Sequence, residues 1–152
     1  MNKIFIIVFL IVGLSSCATL DVYEKQIPFP QHEWSSKTKP TFNFIIQDTT
    51  SAYNFFVVLR HTDAYQFQNI WLNITVKFPD STYTVKREFM LANNTQWLGS
   101  SIDDVVEHRL SFNNLPIHLK KGNYQFTLEQ IMREDPLQNF LNAGIRVEKV
   151  QP

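Results

Sequence analysis

A side-chain period of two, sustained from Thr41 almost to the C-terminus, constrains this chain more than any other feature. Phe42, Phe44 and Ile46 alternate with Asn43, Ile45 and Gln47. Tyr53, Phe55, Val57 and Leu59 share one phase, with Phe56 and Val58 on the other. Successive side chains of an extended strand point to opposite faces, so the pattern predicts half-buried strands. The run from Tyr53 to Leu59 reads as a strand covered on both sides near a sheet centre. Ile70, Leu72, Ile74 and Val76 repeat the alternation, Phe78-Pro79-Asp80-Ser81 turns the chain, and Tyr83, Val85 and Phe89 continue in an antiparallel partner. Further strands follow through Leu115, Ile117 and Leu119, through Tyr124, Phe126, Leu128 and Met132, and through Ile145 and Val147. One stretch departs from the period. Ile102, Val105, Val106 and Leu110 have helical spacing, Ser100 or Ser101 supplies a cap, and Asp103-Asp104 suit a first turn, which predicts one short helix. About eight strands without an alternating helical rhythm specify an all-β fold, an antiparallel β-sandwich over residues 41–152. Jelly-roll and immunoglobulin-like orders both satisfy the spacing.

Upstream of the sandwich the chemistry changes. Lys3 precedes an apolar run from Ile4 to Leu14, and Ser15-Ser16 bring small residues to a cleavage point, so residues 1–16 read as a secretory signal peptide. The run has about half of the roughly 20 residues needed to cross a bilayer. Leu14-Ser15-Ser16-Cys17 looks like a bacterial lipobox, in which the thiol of Cys17 is joined to diacylglycerol and becomes the new N-terminus. Cysteine suits that step because its thiolate is a strong nucleophile. It is also the only cysteine in the chain, so no internal disulfide competes for it. Two or three acyl chains exceed what lasting attachment to a membrane requires. Residues 17–40 then read as the lipidated cysteine and a tether, because Pro28, Pro30 and Pro40 disfavour regular structure. Tyr23 and Trp34 are expected to pack on the domain where the tether ends.

Removal of the leader leaves about 136 residues, one domain with enough chain for a real core. Acidic and basic residues balance and intermix, with no basic stripe, which argues against a nucleic-acid partner. Catalytic constellations are poorly supported. His32, His61, His108 and His118 include no pair at helical metal-ligand spacing, and no metal is expected once Cys17 is taken by lipid. No phosphate loop, nucleophile elbow or other cofactor motif is present, so neither a cofactor nor enzyme activity is expected. A paired-carboxylate hydrolase built on Asp48 and Glu129 lacks anything to place the two groups together.

The polar residues that stand out are attached to strands: Asp48, Arg60, Glu129, Arg133 and Arg146. They read first as pairs that satisfy strand ends and loop carbonyls, and second as a recognition patch for a partner. Trp71 falls on the polar side of its strand. Together with Trp97 it is a candidate exposed aromatic, suited to stacking on a glycan or seating a protein partner, with burial beneath the helical segment as the alternative.

A wider set of motifs occurs in one order. Ile46-Gln47-Asp48-Thr49 is followed by Tyr53-Asn54, Leu59-Arg60-His61-Thr62, Tyr65, Asn69 and Pro79-Asp80. Then come Trp97-Leu98-Gly99, Gly122-Asn123-Tyr124, Glu129-Gln130-Ile131-Met132-Arg133 and Gly144-Ile145-Arg146-Val147-Glu148-Lys149. In these the chain resembles the GldH gliding-motility lipoproteins of the Bacteroidetes group, through nearly the whole mature sequence. It departs at Ala92-Asn93-Asn94-Thr95-Gln96, where the family usually carries an acidic residue and a glycine, so this loop is expected to differ in shape. The resemblance implies a lipoprotein needed for gliding, tied to type IX secretion, with other envelope motility and secretion proteins as partners and no catalytic residues to carry over; a broader envelope role, in secretion or outer-membrane lipoprotein assembly, is the alternative. Ala18 and Thr19-Leu20 lack the acidic or lysine-rich run that similar bacteria use for surface export. An outer-membrane anchor with the domain facing the periplasm is therefore expected.

Overall fold

The computed structural model describes residues 22–150. The leader and Cys17 lie outside the described residues. The alternating sequence folds into β1 (Val22–Pro28), β2 (Glu33–Trp34), β3 (Thr41–Ile46), β4 (Ala52–Thr62), β5 (Asn69–Lys77) and β6 (Thr82–Met90). These are followed by β7 (Ser100–Ile102), β8 (Val105–Ser111), β9 (Ile117–His118), β10 (Gly122–Gln130), β11 (Leu137–Gln138) and β12 (Phe140–Val150). Eight of these strands have six residues or more, seven of them in the region 41–152 where the sandwich is predicted and one, β1, upstream of it, and the other four are short pairings of two or three residues. All ladders are antiparallel. One sheet has the order β1-β12-β4-β8-β7, with β9 also on β4; the second has the order β3-β10-β5-β6.

The inward phases of the two sheets make the core. Phe42 and Phe44 of β3, Ile70, Leu72, Ile74 and Val76 of β5, and Phe126 and Leu128 of β10 face Phe55, Val57 and Leu59 of β4 and Ile145 and Val147 of β12. Rings interlock across the gap: Phe55 and Phe126 stack at 5.2 Å, and Phe112 meets Phe126 edge-on at 5.6 Å. Such offset and edge-to-face contacts suit the quadrupoles of the rings. As its sequence predicts, β4 is central, flanked by β12 and β8. Val58 on its second face is buried and Phe56 half-buried.

Two expectations are corrected. The short helix does not form, and among the described residues there is none. Residues 100–111 are instead a hairpin, in which Ile102 pairs with Val105 across a two-residue turn and Asp103 takes a left-handed φ of 52°. Asp is one of the few residues that enters this region readily. Seven register pairs between β8 and β4 outweigh a weak helical pattern, and Val106 and His108 then face inward at strand spacing. The expected tether is also structured where it is described. Val22–Pro28 pairs with β12 at seven positions, with Pro28 at the strand end, where an edge strand tolerates it. Trp34 is fully buried, stacked on Phe29 at 5.2 Å and donating its indole N–H to the Thr38 carbonyl at 2.9 Å. The packing expected of Trp34 is therefore found, but the sheet begins at Val22 rather than at 41.

Register defines two ends. Val22, the turn between β3 and β4, residues 77–82, β9 and the start of β10 share one end. The β7–β8 turn, the close of β4, the start of β5 and the close of β10 share the other. Ten residue steps of β4, at about 3.3 Å each, separate the ends by about 33 Å.

Candidate functional site

The second of these ends holds the most concentrated polar and aromatic chemistry. It grows out of strand phase: His61 continues the inward series of Val57 and Leu59, and His108 follows Val106 on the adjacent strand. Both imidazoles are buried, and their Nε2 atoms lie 2.9 Å apart. The His61 Nδ1–H donates to the Thr62 carbonyl at 2.7 Å, which leaves its Nε2 as acceptor and makes His108 Nε2–H the donor. Desolvation pushes both groups down. His108, which would also meet the positive charge of a protonated His61, falls to about 4. The pair is therefore neutral near pH 7.

Aromatic rings close over it. Trp97 meets His61 edge-on at 4.5 Å, Tyr65 lies at 5.0 Å and Phe140 at 5.9 Å. The Tyr65 hydroxyl donates to the Asn69 carbonyl at 3.0 Å, and burial holds its phenol well above the usual range. Trp97 is fixed by a tight loop. It bridges Ala92, the Leu98 N–H donates to Leu91, and Asn93 Oδ1 accepts from the Thr95 and Gln96 amides at 2.9 Å each. This is the loop expected to differ from the family pattern. Gly99 follows, where a Cβ would press on the Glu107 carbonyl and approach His108 Nδ1 to 2.8 Å.

Shallow grooves border this cluster among the described residues. One of about 350 Å³ lies between Tyr65, Gln66, Phe67 and Gln68 and the Asn93–Trp97 loop. The second, about 260 Å³, is bounded by Asn69, Trp71, Ile131, Met132 and Arg133. The Arg133 guanidinium sits 5.3 Å over Phe67 and so links the two. A third, about 300 Å³, is formed by Arg60, Glu107 and the β7–β8 hairpin with its exposed Ile102.

Four of the residues singled out by sequence thus meet at one end: Arg60, Arg133, Trp71 and Trp97. Arg60 Nε lies 3.6 Å from the Glu107 carboxylate. Trp71 and Trp97 are half-buried, and Lys86 Nζ lies 4.9 Å above the Trp71 ring. Glu129 is close by on β10, paired with Lys39 at 2.8 Å, which lowers its carboxyl below the usual range. Asp48 and Arg146 are elsewhere. Asp48 caps the β3–β4 turn at the opposite end, accepting from Thr50 and Ser51 and pairing with Lys149 at 2.6 Å, so its carboxyl is held far below the usual range. Arg146 bridges Glu24 at 2.6 Å and Glu148 on the outer face of the first sheet. Asp48 and Glu129 are separated by most of β10. Its seven steps from Gly122 to Glu129 span roughly 23 Å, against the roughly 5–9.5 Å that a carboxylate pair needs.

The histidine pair was not singled out from sequence. Its signal was present, since both residues occupy inward positions of alternating strands, but only the β4–β8 register makes them neighbours. Among the described residues, no group of three or more His, Cys, Asp or Glu side chains is arranged to hold a metal ion.

Comparison with known proteins places this geometry in context. The model of the GldH lipoprotein family matches residues 21–147. A gliding motility lipoprotein GldH homolog from Christiangramia forsetii is 28% identical over 157 residues, covering 97% of this chain and 95% of that protein. The gliding motility lipoprotein GldH of Flavobacterium johnsoniae is 28% identical over 126 residues, covering 76% of this chain and 77% of its own length. Among solved structures, a carbohydrate-binding module specific for non-crystalline cellulose overlays with a TM-score of 0.45 at 11% identity, covering 84% of this chain and 73% of the module. That overlay is too loose to bear on function.

Proposed function

This chain belongs to the GldH lipoprotein family, and from that membership we propose that it is a membrane-anchored lipoprotein of the gliding machinery that works by docking rather than by catalysis. The observation that carries this reading is the extent of the family match, which runs over residues 21–147 and so takes in nearly every described strand. Cys17, placed at a lipobox, supplies the anchor, in the outer membrane with the sandwich facing the periplasm. The grooved end, with Trp71, Trp97, Arg60 and Arg133 at its surface, engages envelope proteins of motility and type IX secretion. Half-buried tryptophan beside arginine is the composition from which protein interfaces draw most of their energy.

Complementation of a deletion strain tests this. The wild-type gene restores colony spreading and a Cys17→Ser gene does not, and crosslinking from membranes recovers envelope motility or secretion proteins with the lipidated form. Normal spreading of the deletion strain overturns the role, and full rescue by Cys17→Ser overturns the anchor.

A second reading has its own support. The groove between Tyr65 and Trp97 is bordered by the planar amides Gln66, Gln68, Asn93 and Gln96, a mixture suited to a sugar ring and its hydroxyls. A glycan array discriminates: binding that disappears when the exposed amides of this groove are removed, in the double variant Gln66→Ala, Gln96→Ala, favours a glycan ligand, and an empty array removes that reading.

A further inference from the structure

The start of β1 and the surface beside it carry an inference about how the sandwich meets the bilayer. It rests on the lipidation of Cys17 proposed above. Only five residue steps separate Cys17 from Val22, the first described residue of the sheet, and covalent geometry limits that span to about 18 Å. The sandwich is about 33 Å from end to end along β4, so the end containing Val22 is the one within reach of the membrane.

That end has the surface such a position needs. Leu115 is 75% exposed at a loop tip, yet the tip is rigid, because Asn113 accepts from the Phe55 N–H at 2.7 Å and donates to the Tyr53 and Leu115 carbonyls. Ile117, Tyr83, Val22 and Ile45 are exposed at the same end, and Tyr83 is stacked on Phe78 at 5.6 Å. Two acids of this end are bound by lysines, Asp48 by Lys149 and Asp80 by Lys120. Lys77 and Lys121 are exposed and, among the described residues, form no ion pair. An apolar tip with tyrosine and lysine beside it suits the headgroup layer, where amphipathic side chains settle and anionic lipids attract cations.

We infer that the end formed by Val22, Tyr83, Leu115 and Lys121 is a membrane-facing surface seated on phospholipid headgroups, so that the grooved end points away from the bilayer.

The test uses the full mature lipoprotein, whose introduced cysteines are the only free thiols once Cys17 carries lipid. Leu115→Cys and Ile102→Cys, equally exposed positions at opposite ends, are labelled with an environment-sensitive fluorophore. The proteins are then reconstituted in phosphatidylethanolamine–phosphatidylglycerol vesicles containing lipid-borne quencher. The expected result is loss of most of the emission at 115 and little loss at 102. Equal quenching at both positions, or quenching at 102 alone, with protein that floats with the vesicles, overturns the orientation and leaves the anchor standing. Protein that does not float overturns the anchor and the orientation with it.

Discussion

The His108 Nε2–H donates to His61 Nε2 across 2.9 Å inside the sandwich, where neither ring is open to solvent. The geometry accepts one proton between the two facing nitrogens. Burial away from water holds both groups below their ordinary values, and for His108 the charge of a protonated His61 adds to it, since a second proton would set two donors against each other.

Stability should therefore fall as pH drops from about 6.5, the unfolded value of histidine, towards about 4, the folded value of His108. In that window the unfolded chain binds protons that the folded chain refuses. The loss is of order 3 kcal/mol for this residue. Urea denaturation midpoints at intervals between pH 7 and 4 measure it, and His108→Gln should flatten the upper half of the curve. A wild-type midpoint that holds steady down to pH 5 contradicts the assignment.

Gly99→Ala should destabilise the protein by about 1–3 kcal/mol, because the new methyl group enters the Glu107 carbonyl and the His108 ring. The carbonyl is backbone and has no rotamer to escape into. Thermal unfolding checks this, and an unchanged midpoint would show that the Trp97–Gly99 loop lifts away freely.

Residues 22–40 should prove indispensable to folding. Trp34→Ala removes a ring packed between Phe29 and Phe140 and should cost about 3–5 kcal/mol. A chain starting at residue 41 should lose cooperative unfolding altogether, since it lacks β1 and exposes one edge of β12. A dispensable tether would leave both melting curves intact.

Ile102→Asp bears on docking at the grooved end. Ile102 is 74% exposed, so the substitution should change stability by no more than about 0.5 kcal/mol and leave the lipoprotein at its normal level in membranes. Colony spreading should nonetheless fall, because a charge now stands on the rim of the Arg60–Glu107 groove. Unimpaired spreading would remove that rim from the contact surface.

The sequence was most readable where burial alone sets the pattern. Ile70 to Val76 and Tyr53 to Leu59 alternate because one phase faces the core, and their strands appear as expected. It was misleading where two periods coincide. Val105, Val106 and Leu110 satisfy helical spacing, and only the partner strand β4 decides for extension. Prolines 28, 30 and 40 concealed β1 and β2, since an edge strand needs few apolar residues and tolerates proline at its end. The site was half legible. Trp97, Trp71 and the arginines stood out by type, whereas the joining of His61 to His108 depends on register between residues 47 positions apart.

The first strand also fixes how the molecule carries load. β1 enters at Val22 and runs along β12 through seven antiparallel rungs, and β12 in turn is zipped to β4 through ten. Traction applied ahead of Val22 and resisted at the opposite end acts parallel to these strands. All rungs then share the strain at once, instead of opening one after another like a peeled hairpin. A body hauled along by its own N-terminal side would keep its shape through the pull.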